Sequence, residues 1–293
     1  MMHAALIRRP YTGPIDLLPP GTPIPLALGM RRLTRQWTGP LLLCRRGSDS
    51  ATLDIPACPD GSICRETLAK FCAGTDGYVR QWYDQSGNNV VVEQTSAASQ
   101  PLCFTSGDLI RDVHGRPRIS HTTTGMIFLF SGAVLPQGGD PITNFSVYRR
   151  DNTSGIRSRW SYGTNTANLY RGWESDNGLR ARITNGTTNA SPTASESGFT
   201  TVGWMTMGQS GSPNERIRIR VDDANVGGTI SSATATAATV NTGSTFGKIW
   251  GRPADTTSAN GYSYEYIFCA ALLTDAQVAP VYREMEEYYG INK

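Results

Sequence analysis

Lysine is almost missing from this chain of 293 residues: Lys70, Lys248 and Lys293 are the only ones, so nearly all of the 27 basic residues are arginine. Charged residues make up only 17%, and the net charge is +3. With so small a charge spread along the chain, there is no basic stripe of the kind nucleic-acid binding needs, and no nucleic-acid partner is expected. His3, His114 and His121 are too few and too scattered for a metal site or a general base. No cofactor is therefore expected, although calcium, which needs only loop oxygens, stays open. No apolar run is long enough to cross a bilayer, so membrane insertion is not expected. Residues Met1 to Pro14 carry basic groups but no apolar stretch and no cleavage site, which predicts a protein that is not exported through Sec.

Cys44, Cys58, Cys64, Cys72, Cys103 and Cys269 include no CxxC pair, which argues against zinc. Cys58 and Cys64 could bridge one loop, but free buried thiols are the expected state for a protein assembled in the cytoplasm. Asp84 with Ser86 and His114 or His121 lacks the nucleophile-elbow context of a serine hydrolase.

Turn formers are plentiful. The chain has 31 glycines and 17 prolines, and Ser, Thr and Asn crowd its second half, a composition that suits an all-β domain with many turns. Strands are predicted near residues 100–104, 126–130, 145–150, 158–162, 169–173, 179–184, 200–209, 215–221, 246–250 and 262–271. Arg216 to Val221 alternates arginine with Ile or Val. That arginine face is either a solvated outer side or a surface for an acidic glycan or a partner's carboxylates. The small polar residues of Ser231 to Ser244 predict a loop or an edge strand.

Helices are predicted at both ends. Met30, Leu33 and Trp37 sit at helical spacing before Gly39-Pro40, and Ser62 to Gly74 reads as one short helix. Thr274-Asp275-Ala276-Gln277 is a capping box, and Gly290 stops the helix it opens.

The first 26 residues are dense in proline (Pro10, Pro14, Pro19, Pro20, Pro23 and Pro25), which prevents helix and interior strand. An extended arm over 1–26 is expected, followed by one domain over 27–293. Ile15, Leu17, Leu18, Ile24 and Leu26 need cover, either along the arm's own domain or in a neighbouring subunit or partner.

Arg45-Arg46-Gly47-Ser48-Asp49 and Tyr83-Asp84-Gln85-Ser86-Gly87-Asn88, preceded by the Gly39-Pro40 strand start, resemble motifs of the catalytic domain of fungal-type α-L-arabinofuranosidase B. A set of bacteriophage proteins shares the same jelly roll. The resemblance implies an all-β, concanavalin A-like (laminin-G-like) antiparallel β-sandwich with short N- and C-terminal helices. In that family a glutamate at a strand end is the nucleophile, and Thr184 or a neighbour stands at its place here. The acid/base aspartate has its counterpart in Asp255. A vicinal cysteine pair that lines the sugar pocket is replaced at Ser161-Tyr162-Gly163. The missing nucleophile predicts a protein that is not an enzyme.

Asp176-Asn177-Gly178 is first a hairpin turn. The sharper reading is a carbohydrate site of Tyr170, Trp173, Glu174, Asp176, Asn177 and Asp255, with an aromatic ring under a pyranose and polar groups on its hydroxyls. The function expected is a bacteriophage virion protein, of tail, fibre or head, assembled in the host cytoplasm. It would be a homo-oligomer anchored to other virion proteins by its arm, displaying a lectin-like domain toward host-surface glycans. The alternatives are a structural decoration or connector protein and, third, an arabinofuranosidase-type glycoside hydrolase.

Overall fold

The strand predicted near residues 262–271 is the one around which the molecule is built. In the computed structural model, Gly261–Cys269 is buried along nearly its whole length, because both of its faces are covered. The structure describes residues 11–121, 125–132, 134–136, 140–151, 157–162, 169–175, 179–184, 188–190, 200–207, 217–223, 231–233, 246–251 and 260–291.

In chain order, the first half holds β1 (Leu26–Gly29), β2 (Pro40–Arg46), β3 (Thr52–Pro56), α1 (Arg65–Phe71), β4 (Gly77–Tyr83), β5 (Val91–Glu93), β6 (Leu102–Thr105), β7 (Asp108–Leu109), β8 (Ile119–His121) and β9 (Phe128–Ser131). Next come β10 (Ile142–Arg150), β11 (Arg157–Ser158), β12 (Trp160–Tyr162), β13 (Leu169–Ser175), β14 (Leu179–Thr184) and β15 (Thr188–Ala190). The remainder is β16 (Thr200–Met207), β17 (Ile217–Asp223), β18 (Ser231–Ala233), β19 (Phe246–Ile249), β20 (Gly261–Cys269) and α2 (Asp275–Tyr289).

Among the described residues every strand pairing is antiparallel. One layer runs β18–β17–β16–β10–β20, with β1 and β8 sharing the far edge of β20. The other runs β14–β13–β12–β19–β9–β5–β4–β2–β3. β6 pairs with both β4 and β8 and so joins the two layers. The result is a curled, sandwich-like antiparallel sheet with two short helices, the jelly-roll class expected.

Successive residues of β20 serve two cores. Tyr266 and Phe268 join the cluster between the layers, with Trp82, Phe128 and Trp160. Tyr264, Ile267 and Cys269 face the other way, against Val278, Val281, Met285 and Tyr289 of α2. Each of these large side chains contributes about 1.5–3 kcal/mol by leaving water. The predicted capping box is in place: the Thr274 N–H donates to Gln277 Oε1 at 2.9 Å. Gly290 ends the helix with φ +70°, where a side chain would be strained.

The N-terminal helix expected from the spacing of Met30, Leu33 and Trp37 is not formed. Leu26–Gly29 is instead a strand on β20, with Leu26 opposite Phe268 and Gly29 opposite Glu265. The Gln85 carboxamide holds the next residues extended, accepting from the Leu33 N–H at 2.8 Å and donating to the Arg31 carbonyl at 2.9 Å. Tertiary hydrogen bonds have overridden the helical spacing of Met30, Leu33 and Trp37.

The arm lies along its own domain over its described residues. Leu18 and Leu26 are buried, and Ile15, Leu17 and Ile24 pack against the α2 cluster. The Ile15 N–H bonds the Leu33 carbonyl at 3.0 Å. Asp84 ties this layer down: Oδ1 accepts from the Ala27 and Ser86 N–H groups, and Oδ2 from the Ser86 hydroxyl and the Val90 N–H. Asn88 reaches the Ile24 carbonyl at 2.7 Å. The Asp-Gln-Ser-Gly-Asn motif therefore closes a turn onto the arm.

Cys58 and Cys64 are joined in a disulfide, where free thiols were expected, and Cys44, Cys72, Cys103 and Cys269 are buried free thiols. The bridge spans a loop of only a few residues whose Cα atoms are brought to 5.0 Å by the Cys58–Gly61 turn.

Candidate active site

Strand register decides which chemistry-bearing positions share one end of the sheet. Tyr170, Trp173 and Glu174 lie on β13, whereas Asp176, Asn177 and Asp255 lie outside the described residues. Ile249 is opposite Trp160, and the Trp250 N–H bonds the Arg159 carbonyl at 2.7 Å. The next residue back, Ser158, is opposite Glu174. The chain thus leaves β19, toward Asp255, level with the Glu174 end of β13. Ser175 pairs with Leu179 at that same end.

Thr184, which the family resemblance set at the nucleophile position, is opposite Leu169 at the other end. Arg180, the partner of Glu174, is four residues from Thr184 along β14, or roughly 13 Å at about 3.3 Å per residue. Thr184 is therefore remote from the start of the Asp255 segment, and Glu174 is not.

Between the layers, where a sandwich interior is ordinarily apolar, His121, Asn144, Ser146, Arg159, Ser161 and Ser263 are fully buried. Asn144 Oδ1 accepts from the Ser146 hydroxyl at 2.6 Å and from Trp160 Nε1 at 2.9 Å, while Nδ2 donates to the Ile267 carbonyl. The Ser161 hydroxyl donates to the Gly251 carbonyl at 2.7 Å, pinning the exit of β19. The Arg159 guanidinium lies 4.7 Å from the Tyr148 ring and 5.0 Å from the Trp250 ring, cation–π distances that compensate part of its desolvation. Trp250 has φ +67°, rare for a bulky residue and costing about 1–3 kcal/mol. Its indole is stacked at 4.9 Å on the His121 ring, which helps to hold it there.

The His121 tautomer follows from its partners. Nδ1 is 2.6 Å from the Met126 carbonyl, which can only accept, so Nδ1 carries the proton and Nε2 accepts from the Ser263 hydroxyl at 2.9 Å. Burial pushes the imidazole pKa down to about 3, against the opposing pull of the Met126 carbonyl. A ring held neutral in this way orients its neighbours and is no base at neutral pH. Because the folded value lies below the unfolded 6.5, its contribution to stability is fully present above pH 6.5. It is lost as pH falls toward 3, at up to about 1.4 kcal/mol per pH unit. Urea unfolding from pH 7 to pH 4 should show this slope, and His121→Gln should flatten it. An unchanged slope in the variant would assign the acid sensitivity elsewhere.

A pair of carboxylates does occur on the opposite face of the β20 layer. Arg31 bonds Glu265 through Nε at 2.8 Å and Nη2 at 3.2 Å, and bonds both oxygens of Glu284, with Nη2–Oε2 at 2.7 Å. Tyr289 donates to Glu265 at 2.9 Å, and the Tyr288 ring covers the guanidinium at 3.8 Å. Burial raises the Glu284 pKa, opposed by Arg31. Burial alone would lower the Arg31 pKa, but Glu265 and Glu284 hold it well above its usual value. With every carboxylate oxygen engaged by Arg31 and the group enclosed by α2, this is a staple between the β1 segment and α2. It is not a site for sugar.

The arginine face of β17 also has an internal use over its described residues. Arg218 pairs with Asp275 at the start of α2 and lies 5.5 Å from the Trp204 ring, and Arg220 lies 5.1 Å from the Tyr282 ring. Arg216 lies outside the described residues.

Comparison with known proteins supplies the chemistry of the relatives. A family model described as the catalytic region of α-L-arabinofuranosidase B matches residues 16–112. Over 79 residues the chain is 43% identical to α-L-arabinofuranosidase B of Penicillium canescens, which is 26% of this chain and 17% of that protein. A solved GH54 α-L-arabinofuranosidase soaked with a cyclic sulfate inhibitor superposes on 95% of this chain with a TM-score of 0.71 at 16% identity. An arabinofuranosidase complexed with arabinofuranosyl-α-1,2-xylobiose superposes on 95% with a TM-score of 0.65 at 18% identity. This chain is similar to the catalytic domain of α-L-arabinofuranosidase B. It covers 66% and 65% of the lengths of those two solved chains.

These findings correct three expectations. The similarities run to glycosidases, one of them from a fungus, so the bacteriophage virion reading is overturned. The expectation that the chain is not an enzyme falls with it, as does the virion location without Sec export. The enzyme expectation rested on the Thr184 position and the location on the N-terminal composition, and the similarity to glycosidases outweighs both.

The sequence match ends at residue 112, before the sheet end built by β11 to β14 and β19. It therefore covers the frame, in which the matched Asp84, Gln85 and Asn88 do structural work. The polar floor was missed by sequence reading. Its one signal is Asn144, Ser146 and Tyr148 alternating with Phe145 and Val147, which reads equally as a solvated strand face.

Proposed function

We propose that the chain is a glycoside hydrolase of the arabinofuranosidase type, removing α-L-arabinofuranosyl groups. The observation that carries this reading is the combination of a frame 43% identical to an α-L-arabinofuranosidase B over 79 residues with a fold shared over 95% of the chain. Two carboxylates must then flank the scissile bond, one as nucleophile and one as acid/base, about 5–5.5 Å apart for retention.

Asp255, on the segment leaving β19, is the acid/base candidate. Its partner is sought in the chain that follows Glu174, whose strand end is level with that exit: Asp176 as nucleophile, with Glu174 the second candidate. Tyr170 and Trp173 on β13, with Asn177, supply stacking and hydroxyl contacts to the sugar. The buried polar floor of Asn144, Arg159 and Trp250 supports the strands from which these groups project.

Release of 4-nitrophenol from 4-nitrophenyl α-L-arabinofuranoside tests the reading, and one of the solved relatives, itself a mutant, was soaked with that compound. Turnover at steady state, with release of free arabinose, supports it. A folded protein with no turnover on this compound or on arabinofuranosyl-xylooligosaccharides would overturn it.

A further inference from the structure

Three thiols meet where β2, α1 and β6 converge, and the proposed hydrolysis uses none of them. Cys44 lies on β2, Cys72 caps the end of α1, and Cys103 lies on β6. All three are fully buried. The Cys44 and Cys72 sulfurs are 3.8 Å apart, in van der Waals contact, and the Cys103 thiol donates to the Gly77 carbonyl at 3.4 Å. Gly77 makes the contact possible. A Cβ there would stand 2.7 Å from the Cys72 sulfur and 3.1 Å from the Cys44 sulfur, so only a glycine leaves room for both.

We propose that Cys44 and Cys72 form a second disulfide, closing β2 onto the end of α1 beside the Cys58–Cys64 bridge. A disulfide needs sulfurs about 2.05 Å apart, so the pair must approach by less than about 2 Å, within reach of side-chain torsion. The step is an exchange. A small disulfide donor of the glutathione class accepts the two electrons and the two protons given up by the cysteine thiols, so one protein S–S bond forms as the donor's S–S bond breaks to two thiols.

The timing follows from the thiols' surroundings. Contact with Cys44, and then burial, raises the Cys72 pKa far above its usual value, and Cys103 does the same to Cys44. Exchange needs thiolate, so the bond is made as the chain folds, before α1 closes over β2. Once the protein has folded reduced, the pair stays reduced. Cys269 lies in the separate α2 cluster and has no sulfur partner among the described residues.

The test is alkylation of the full-length protein, refolded with reduced and oxidised glutathione, then unfolded in guanidinium with iodoacetamide and no reductant, digested and weighed. The expected result is alkylation at Cys103 and Cys269 only, with a peptide linking Cys44 to Cys72. Cys44→Ser should then expose Cys72 to alkylation, keep the Cys58–Cys64 link and lower the melting temperature by about 5–10 °C. Alkylation of Cys44 and Cys72 in the refolded wild type, or a link from either to Cys103, overturns the proposal.

Discussion

On the proposed mechanism, Asp176→Asn is expected to abolish hydrolysis of 4-nitrophenyl α-L-arabinofuranoside and of arabinofuranosyl-xylooligosaccharides alike, lowering kcat by about 10³-fold or more. The reason is that a nucleophile acts whatever the leaving group is. An amide cannot form the glycosyl ester, so the loss falls on bond formation itself. Asp255→Asn behaves differently. General acid catalysis is worth about 10²–10⁴-fold when the departing oxygen needs a proton, as a sugar alkoxide does. 4-Nitrophenolate leaves with little assistance. The Asp255 variant is therefore expected to lose its activity on oligosaccharides while keeping much of the first turnover of the nitrophenyl compound.

Glu174→Gln discriminates between the two β13 carboxylates. A full loss in that variant, with Asp176→Asn active, would move the nucleophile to Glu174. Equal activity of all three variants and the wild type would remove these carboxylates from the mechanism. Melting temperature, measured on each variant, separates a catalytic loss from unfolding.

The second large effect lies on the opposite face of the β20 layer. Arg31→Met destabilises the protein by about 3–5 kcal/mol, because it strands two buried carboxylates. Glu265 is 0% exposed and Glu284 only 22%, so neither regains much water when the guanidinium is gone. At the scaling of domains somewhat smaller than this one, that is a fall in melting temperature of about 10 °C. Adding Glu265→Gln to Arg31→Met should recover part of the loss, since it removes the fully buried charge and leaves a group that Tyr289 can still bond. If the double variant is as unstable as the sum of the two singles, the groups do not act as one staple. Activity of the folded fraction should be little changed, because the cluster faces α2, on the side of β20 away from the buried Asn144 and Trp160.

Both predictions depend on which features could be read before folding was known. The turn chemistry of Asp84 to Asn88, the capping box at Thr274 and the stop at Gly290 are local. Each is satisfied by groups a few residues away, apart from the bonds Asp84 and Asn88 send to the arm, so their residue types announce them. The β14 and β16 strands were legible for a similar reason, since their alternation or β-branched content survives whatever they pair with. The stretch at Met30 to Trp37 misled because its helical spacing is also what a bent, buried segment shows when β20 and Gln85 take its backbone groups.

The candidate site was only half legible. Tyr170, Trp173, Glu174, Asp176, Asn177 and Asp255 could be picked out as residue types suited to a sugar, but their arrangement could not. Comparison by strand pattern set the nucleophile position at or next to Thr184, at the end of β14 away from Glu174. Only the pairing of β13 with β12 and of β12 with β19 brings the Glu174 end of β13 level with the exit of β19, and no periodicity in the sequence reports that pairing.

The amino-acid sequence by itself determined the all-β class, the helix at the C-terminus and the family resemblance of the frame. These rest on short-range preferences of φ, on caps and on periodicity. Tertiary structure alone decided that the arm lies on its own domain and that Arg31 is a buried staple between Glu265 and Glu284. It alone decided that Cys44 touches Cys72, and that the end of β13 stands level with the exit of β19. Those four facts join residues from 16 to 253 positions apart in the chain, where only the pairing of strands and the closing of two cores can bring them together.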